Sequence, residues 1–432
     1  MTDPTAAPGG SRSDDAGRVG GTALTTGRYV VVFADASDPA PMLRDVAGMS
    51  SVASSRDFTG QAVDMDATVG ADATVFAELG MAVVSGDPTQ MGTLTNAAAE
   101  RGTAVLAVVP ELIHHVMPAP GYVQGYRDGV DDLANRLGND DGSGGNDGPL
   151  FEDTEEFTWG LQAVGIELAG FTGEGIKVAV LDTGMDLEHP DYADRSITHK
   201  SFVTGESAQD GHGHGTHCIG SSLGNTSEQG RRYGVASQAE IYVGKVLGDQ
   251  GSGSDAGILA GINWAVSNGC AVISMSLGAD VPEPHPPYTV AGERALARGT
   301  LIIAAAGNNA DRPGNPGFVG APANSPSIIA VAAVDSSLQV ARFSARSTPL
   351  RGGQVDLAGP GVAVYSSWPM PERYNTISGT SMATPHAAGV AALWAQATGR
   401  RGMELWATLA METQRLDLPS LDVGLGMVRV AP

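Results

Sequence analysis

Short runs of almost wholly apolar residues constrain this chain most. Lys177-Val178-Ala179-Val180-Leu181 is the first, and similar runs follow at Ile241–Val246, Val272–Met275, Leu301–Ala306 and Ile328–Val334. A strand that is apolar on both faces needs cover on both faces, which is the condition of a parallel sheet. Between the runs lie stretches of helical character, Thr216–Leu223, Ser254–Ser267 and Ala291–Arg298. Strands alternating with helices predict an α/β domain built on a parallel sheet. In such sheets the working residues gather at the carboxyl ends of the strands.

A second feature is the stretch from Gly379 to Leu393. It reads as a glycine turn followed by a helix beginning at Ser381, with Pro385 in the first turn, where a missing N–H is tolerated. The rest is small and apolar (Ala383, Ala387, Ala388, Gly389, Ala391, Ala392), so the helix is expected to be buried and closely approached. Ser381 then sits at the positive end of a buried helix, where unpaired N–H groups favour negative charge. That placement suits a nucleophile and an oxyanion. An ordinary N-cap serine fits the same letters.

The chain divides by composition. Residues 1–23 are rich in Gly, Ser, Asp and Pro and are expected to be disordered. From 24 to 117, strands at Tyr29–Phe33, Met81–Val84 and Ala104–Val109 and a helix opened by Pro88 predict a small α+β domain. Within it Ala36–Leu79 reads as a long insertion, with an acidic loop at Asp64–Asp72. Residues 118–156 read as an acidic, glycine-rich linker centred on Asn139–Gly148, and 157–432 as the α/β domain.

Charge and cysteine content narrow the class. Lys+Arg total 25 against Asp+Glu 48, a net charge of −23, which argues against nucleic acid and anionic membrane surfaces as partners. Neither an apolar run long enough to span a membrane nor an apolar signal segment near Met1 is present. The expectation is a chain that stays in the cytosol or leaves by a route its letters do not reveal. Cys218 and Cys270 give no disulfide framework.

Three groups offer chemistry. Asp182 follows directly on the strand ending at Leu181, the place of a working acid, although an Asx turn explains it as well. His212, His214 and His217 are spaced for a zinc site, yet no further Cys or His cluster completes a ligand set. His214 instead joins Asp182 and Ser381 as an acid–imidazole–hydroxyl set, in which the acid orients the imidazole and the imidazole takes the serine proton. Gly307-Asn308 closes the strand Leu301–Ala306, and the Asn308 amide fits a donor to an oxyanion as well as a turn.

Four motifs together resemble the subtilisin family of serine proteases: Val180-Leu181-Asp182-Thr183-Gly184, Gly213-His214-Gly215-Thr216-His217, Ala305-Ala306-Gly307-Asn308 and Gly379-Thr380-Ser381-Met382-Ala383-Thr384-Pro385-His386. The resemblance covers about 157 to 432. It implies a three-layer α/β catalytic domain, with Asp182, His214 and Ser381 as the triad and Asn308 in the oxyanion hole. It also implies a cleft for protein or peptide substrates at Gly251-Ser252-Gly253 and Ser276-Leu277-Gly278, walled by Ala306 and Gly307. No cofactor is required. Structural calcium is a family option, with Asp191 at a position often a ligand and Glu155 and Asn225 as companions.

The first domain resembles the ferredoxin-like inhibitory prodomain of such enzymes, with Tyr29–Phe33 and Met81–Gly86 at that family's edge motifs. The segment after Val109 would then lie in the cleft, and self-cleavage would fall between His115 and Leu150. The implied enzyme is a monomer. Cys218, one helical turn after His214, would lie beneath the imidazole, as in the branch with cysteine after His-Gly-Thr-His. Three other readings stand beside this one: a processing protease for a single precursor, an inert protease that only holds peptides, and a metal hydrolase.

Overall fold

In the computed structural model the apolar runs lie side by side in one sheet. The structure describes residues 23–34, 39–100, 102–116 and 149–430. All but the last residue of the expected N-terminal stretch 1–23, and most of the linker 118–156, therefore lie outside the described residues.

The first module holds β1 (Thr25–Phe33), β2 (Val52–Ser54), β3 (Ala73–Phe76), β4 (Met81–Val84) and β5 (Val105–Val116). Their order is β5-β1-β4-β3-β2. β1 runs antiparallel to both β4 and β5, and β3 antiparallel to β4. A helix at Ala40–Asp45 and another at Pro88–Ala99 complete a split β-α-β arrangement. β1 and β4 are interior strands, because β5 and β3 flank them. The stretch 36–79 also proves to be more than an insertion. It supplies the first helix, β2 and β3.

The alternation of β1 explains how this module is held. Val31 and Phe33 face the module's own small core with Leu43, Met49 and Leu94. Val30 and Val32 point the other way and join Phe76, Met81 and Val83 in the large core of the rest of the chain. A period of two thus gives one sheet two buried faces. The second face rests on helices Asp255–Ser267 and Pro286–Ala297. Polar contacts pin its rim: Asn263 Oδ1 accepts from Glu78 N at 2.8 Å, Arg298 pairs with Glu78 at 2.8 Å, and Arg294 donates to the carbonyl of Phe33 at 2.6 Å.

The second module is a parallel sheet of β6 (Lys177–Asp182), β7 (Ile197–Ser201), β8 (Glu240–Lys245), β10 (Val272–Met275), β12 (Leu301–Ala305), β13 (Ile329–Val334) and β14 (Leu357–Pro360). Short strands β9 (Ser252–Ser254) and β11 (Leu277–Gly278) stand outside it and pair with β5 instead. The order β14-β13-β12-β10-β6-β8-β7 reverses direction at β6, so Asp182 ends the strand at the switch point. Two helices, His214–Leu223 and Thr380–Thr398, are almost wholly buried and pack on each other. Small residues permit this: a Cβ on Gly389 would stand 3.0 Å from Ser222 O and 2.5 Å from Val235 Cβ.

Two helix boundaries differ from the sequence reading. The helix expected at Ala291–Arg298 begins at Pro286, because Pro286 and Pro287 occupy first-turn positions where proline is at home. The serine helix begins at Thr380, so Pro385 lies beyond its first turn. Proline has no N–H to give to the carbonyl four residues back, which is that of Ser381. Ser276 Oγ donates to it instead at 2.7 Å, and the Cys218 thiol lies 3.6 Å from it. Among the described residues, no helix is long and apolar enough to cross a membrane.

Candidate active site

Three strand ends of the parallel sheet converge on one place: Asp182 closing β6, Ser276 just after β10, and Ala306-Gly307-Asn308 just after β12. His214 opens its helix beside them, and its Nδ1 donates to Asp182 Oδ1 at 2.8 Å. Thr183 N donates to the same oxygen at 2.7 Å, fixing the carboxylate in plane. Both side chains are buried, and Asp182 Oδ2 and His214 Nε2 have no partner among the described residues. Ser381, also buried, donates its hydroxyl to Ser276 O at 3.3 Å. The acid and imidazole are therefore joined directly. The serine stands next to them, tied to the imidazole's neighbour Cys218 through its own carbonyl.

Electrostatics follow from this burial. Burial disfavours the His214 cation, but the charge of Asp182 and its hydrogen bond, with Cys218 adding, outweigh that and raise its pKa well above 6.5. The Cys218 thiol, 3.8 Å from His214 Nδ1, is pushed up by burial and stays a neutral filler beneath the ring.

One residue without a role in the sequence reading holds the site together. The Asp210 carboxylate accepts from Thr183 Oγ1, His212 N and Gly213 N through one oxygen, and from Thr216 N and Oγ1 through the other, all within 2.9 Å. It caps the histidine helix and staples that helix to the turn after Asp182. An Asp four residues ahead of a helical histidine was the available signal.

The three histidines do not form a metal site. His217 Nε2 donates to Val364 O at 3.0 Å, and burial lowers its pKa to about 3. His212 stands edge-on to His214 with ring centres 6.3 Å apart. The acid, imidazole and thiol that do gather are Asp182, His214 and Cys218, within 4.8 Å of one another. Calcium at Asp191 fares no better. Its carboxylate accepts from Tyr233 OH at 2.6 Å and Tyr374 OH at 3.0 Å. Phenols hydrogen-bonded to the acid leave no cage of six to eight oxygens there, so the residues present do not fit a hard cation.

Asn308 is held by its oxygen, which accepts from Thr380 N and Thr380 Oγ1, each at 2.9 Å. This turns its amide nitrogen toward Gly379, at the mouth of the serine helix. The backbone groups of Ala306 and Gly307 are used within the protein: Ala306 N meets Val331 O, Ala306 O meets Gly320 N, Gly307 N meets Thr380 Oγ1 and Gly307 O meets Ala345 N. They can wall a cleft but not pair with a substrate backbone.

Gly251–Gly253 and Ser276–Gly278 stand on either side of the last residues of β5. Ile113, His114 and His115 pair antiparallel with Ser254, Gly253 and Ser252. Val116 and His115 pair antiparallel with Leu277 and Gly278, and Val116 N donates to Gly251 O at 2.8 Å. The strand expected to end at Val109 thus continues into the groove. The expected cut between His115 and Leu150 falls almost wholly outside the described residues.

Comparison with known proteins adds to this geometry. A model of the subtilase family matches residues 173–416, leaving the first module outside the match. Subtilisin DY of Bacillus licheniformis is 41% identical over 236 residues, which are 54% of this chain and 81% of that protein. Subtilisin Savinase of Lederbergia lenta is 43% identical over 239 residues, 54% of this chain and 82% of that one. Subtilisin E of Bacillus subtilis strain 168 is 41% identical over 257 residues, 57% of this chain and 64% of that one.

Proposed function

The chain belongs to the subtilase family and is a serine endopeptidase acting on protein or peptide chains, and on that premise we propose that it works through Asp182, His214 and Ser381 and cuts itself behind its first module. The observation that carries this reading is the register of β5 in the groove. Leu277 pairs with Val116, so a chain in that register delivers its next residue opposite Ser276, whose carbonyl accepts the Ser381 hydroxyl.

In the proposed reaction Ser381 Oγ attacks the scissile carbonyl while its proton passes to His214 Nε2. Asp182 holds the imidazole in the tautomer that accepts there and stabilises the imidazolium. The oxyanion is met by Ser381 N–H, free of intrahelical partners at a helix start, and by the Asn308 amide. The C–N bond then breaks as His214 returns the proton to the leaving amine, and water releases the acyl group by the reverse path. No cofactor enters these steps. The first module, through β5, occupies the groove as an inhibitor before and after the cut.

A fluorophosphonate probe tests the nucleophile. It should label the self-processed protein at Ser381 once the first module has left the groove, and labelling at another residue, or none, would exclude this reading. The reaction also has a pH signature. His214 must be neutral to accept the proton, and its raised pKa means protonation begins early on the acid side. The expected kcat/KM profile rises with pH to a plateau, with its acid-limb midpoint above 6.5, measured on a short peptide substrate. A midpoint below about 6 would contradict the Asp182–His214 coupling.

A further inference from the structure

A second buried carboxylate lies in the groove, away from the reacting atoms. Asp255 opens the helix Asp255–Ser267 and is fully buried. Its Oδ1 accepts from Tyr288 OH at 2.6 Å and faces His114 Nε2 at 2.8 Å. Its Oδ2 accepts from His285 Nε2 at 3.0 Å and from Leu112 N at 2.8 Å. Tyr288 and His285 belong to the second module. His114 and Leu112 belong to the strand that fills the groove.

We propose that Asp255, framed by Tyr288 and His285, is a specificity pocket that selects histidine three residues before the residue delivered to Ser381. The inference rests on the endopeptidase reading and narrows it to a sequence class.

The position follows from register. Val116 pairs with Leu277, so a substrate in this register sets its following residue opposite Ser276 and Ser381. The side chain in the place of His114 is then the third one upstream. That ring is buried completely, edge-on to Tyr288 with centres 5.3 Å apart, and its Nε2 also lies 3.1 Å from Tyr288 OH.

The chemistry follows from the donor count. Without an occupant, Asp255 keeps two donors and turns its remaining acceptor capacity toward the groove. Burial disfavours its charge, but the hydrogen bonds from His114 and His285 outweigh that and hold it well below the usual carboxylate range. An apolar occupant would strip water from a carboxylate and return nothing, and an acidic one would add repulsion. A lysine or arginine brings a donor on a longer stem, into a space closed by Tyr288 and bordered by the His285 ring. An imidazole places one N–H at the carboxylate with its ring edge-on to Tyr288.

The test uses the full chain after self-processing and internally quenched peptides that differ only at this position, carrying His, Leu, Lys or Glu. The expected result is a kcat/KM for His at least about tenfold above Leu, with Glu lowest. In Asp255→Leu the His-over-Leu ratio should collapse or invert. If that variant does not fold, His285→Gln and the wild-type series carry the test. A wild-type preference for Leu, or a flat series, would mean that the cluster only locks the first module in place, and would overturn the pocket. Fluorophosphonate labelling run in parallel separates the two failures. A labelled enzyme with a flat series removes the pocket alone, and an unlabelled chain removes the triad reading and the pocket with it.

Discussion

Ser381→Ala should leave the chain at full length, while the wild type is recovered in two pieces. Intact-mass analysis of the two proteins, expressed side by side, reads this directly. The physical reason is local. Ser381 Oγ lies at the helix start, and its hydroxyl bonds Ser276 O just past the end of β10. The alanine variant keeps the Ser381-position carbonyl and its Ser276 and thiol contacts, so the fold is expected to survive. On a peptide substrate kcat should fall about a million-fold, the size of the same change in subtilisin, a relative. A variant that still divides itself, or that retains more than about a thousandth of the activity, would move the nucleophile elsewhere.

Asp182→Asn is the second large effect, expected at about ten thousand-fold in kcat with KM little changed. An asparagine is the same size, so packing around this buried position is preserved, although an N–H turned to His214 forfeits the Thr183 N bond to that same atom position. It can turn an N–H toward His214 Nδ1, and the imidazole then carries its proton on Nε2, where a lone pair is needed. It also removes the charge that raises the His214 pKa, so the acid limb of the pH profile should shift down. The profile distinguishes this cause from simple unfolding, which would lower the whole curve without moving its midpoint. A loss of less than tenfold would show that the short 2.8 Å bond is incidental to turnover.

What the letters revealed, and what they hid, has a physical pattern. The parallel sheet was legible because strands buried on both faces are written as unbroken apolar runs, as at Val178–Leu181. The start of the helix at Pro286 was not, because two prolines look like a break when they occupy a first turn. The second half of β5 has no strand signal of its own and was reached only through the resemblance, which put the segment after Val109 in the cleft. Its partners are Ser252–Ser254 and Leu277–Gly278, glycine-rich pieces with no strand signal of their own. Asp182 and His214 stood out because each ends or begins an element next to a glycine turn. Asp210 did not: its place four residues ahead of His214 hints at a cap, but nothing in the letters shows five donors converging on it. The Asp255 pocket was the least legible feature. His114, Asp255, His285 and Tyr288 come from separate parts of the chain, and only folding makes them neighbours. At Asp191 the carboxylate is taken up by the phenols of Tyr233 and Tyr374, partners that no local pattern of letters announces.

The two-sided sheet of the first module has a last consequence. Parted from its host, it would turn Val30, Val32, Phe76, Met81 and Val83 outward into solvent, with only the small core around Leu43 and Leu94 to hold it. On the proposed self-cutting, such a fragment would keep its shape mainly while it rests on the second module, so leaving the groove and losing its fold would be one event.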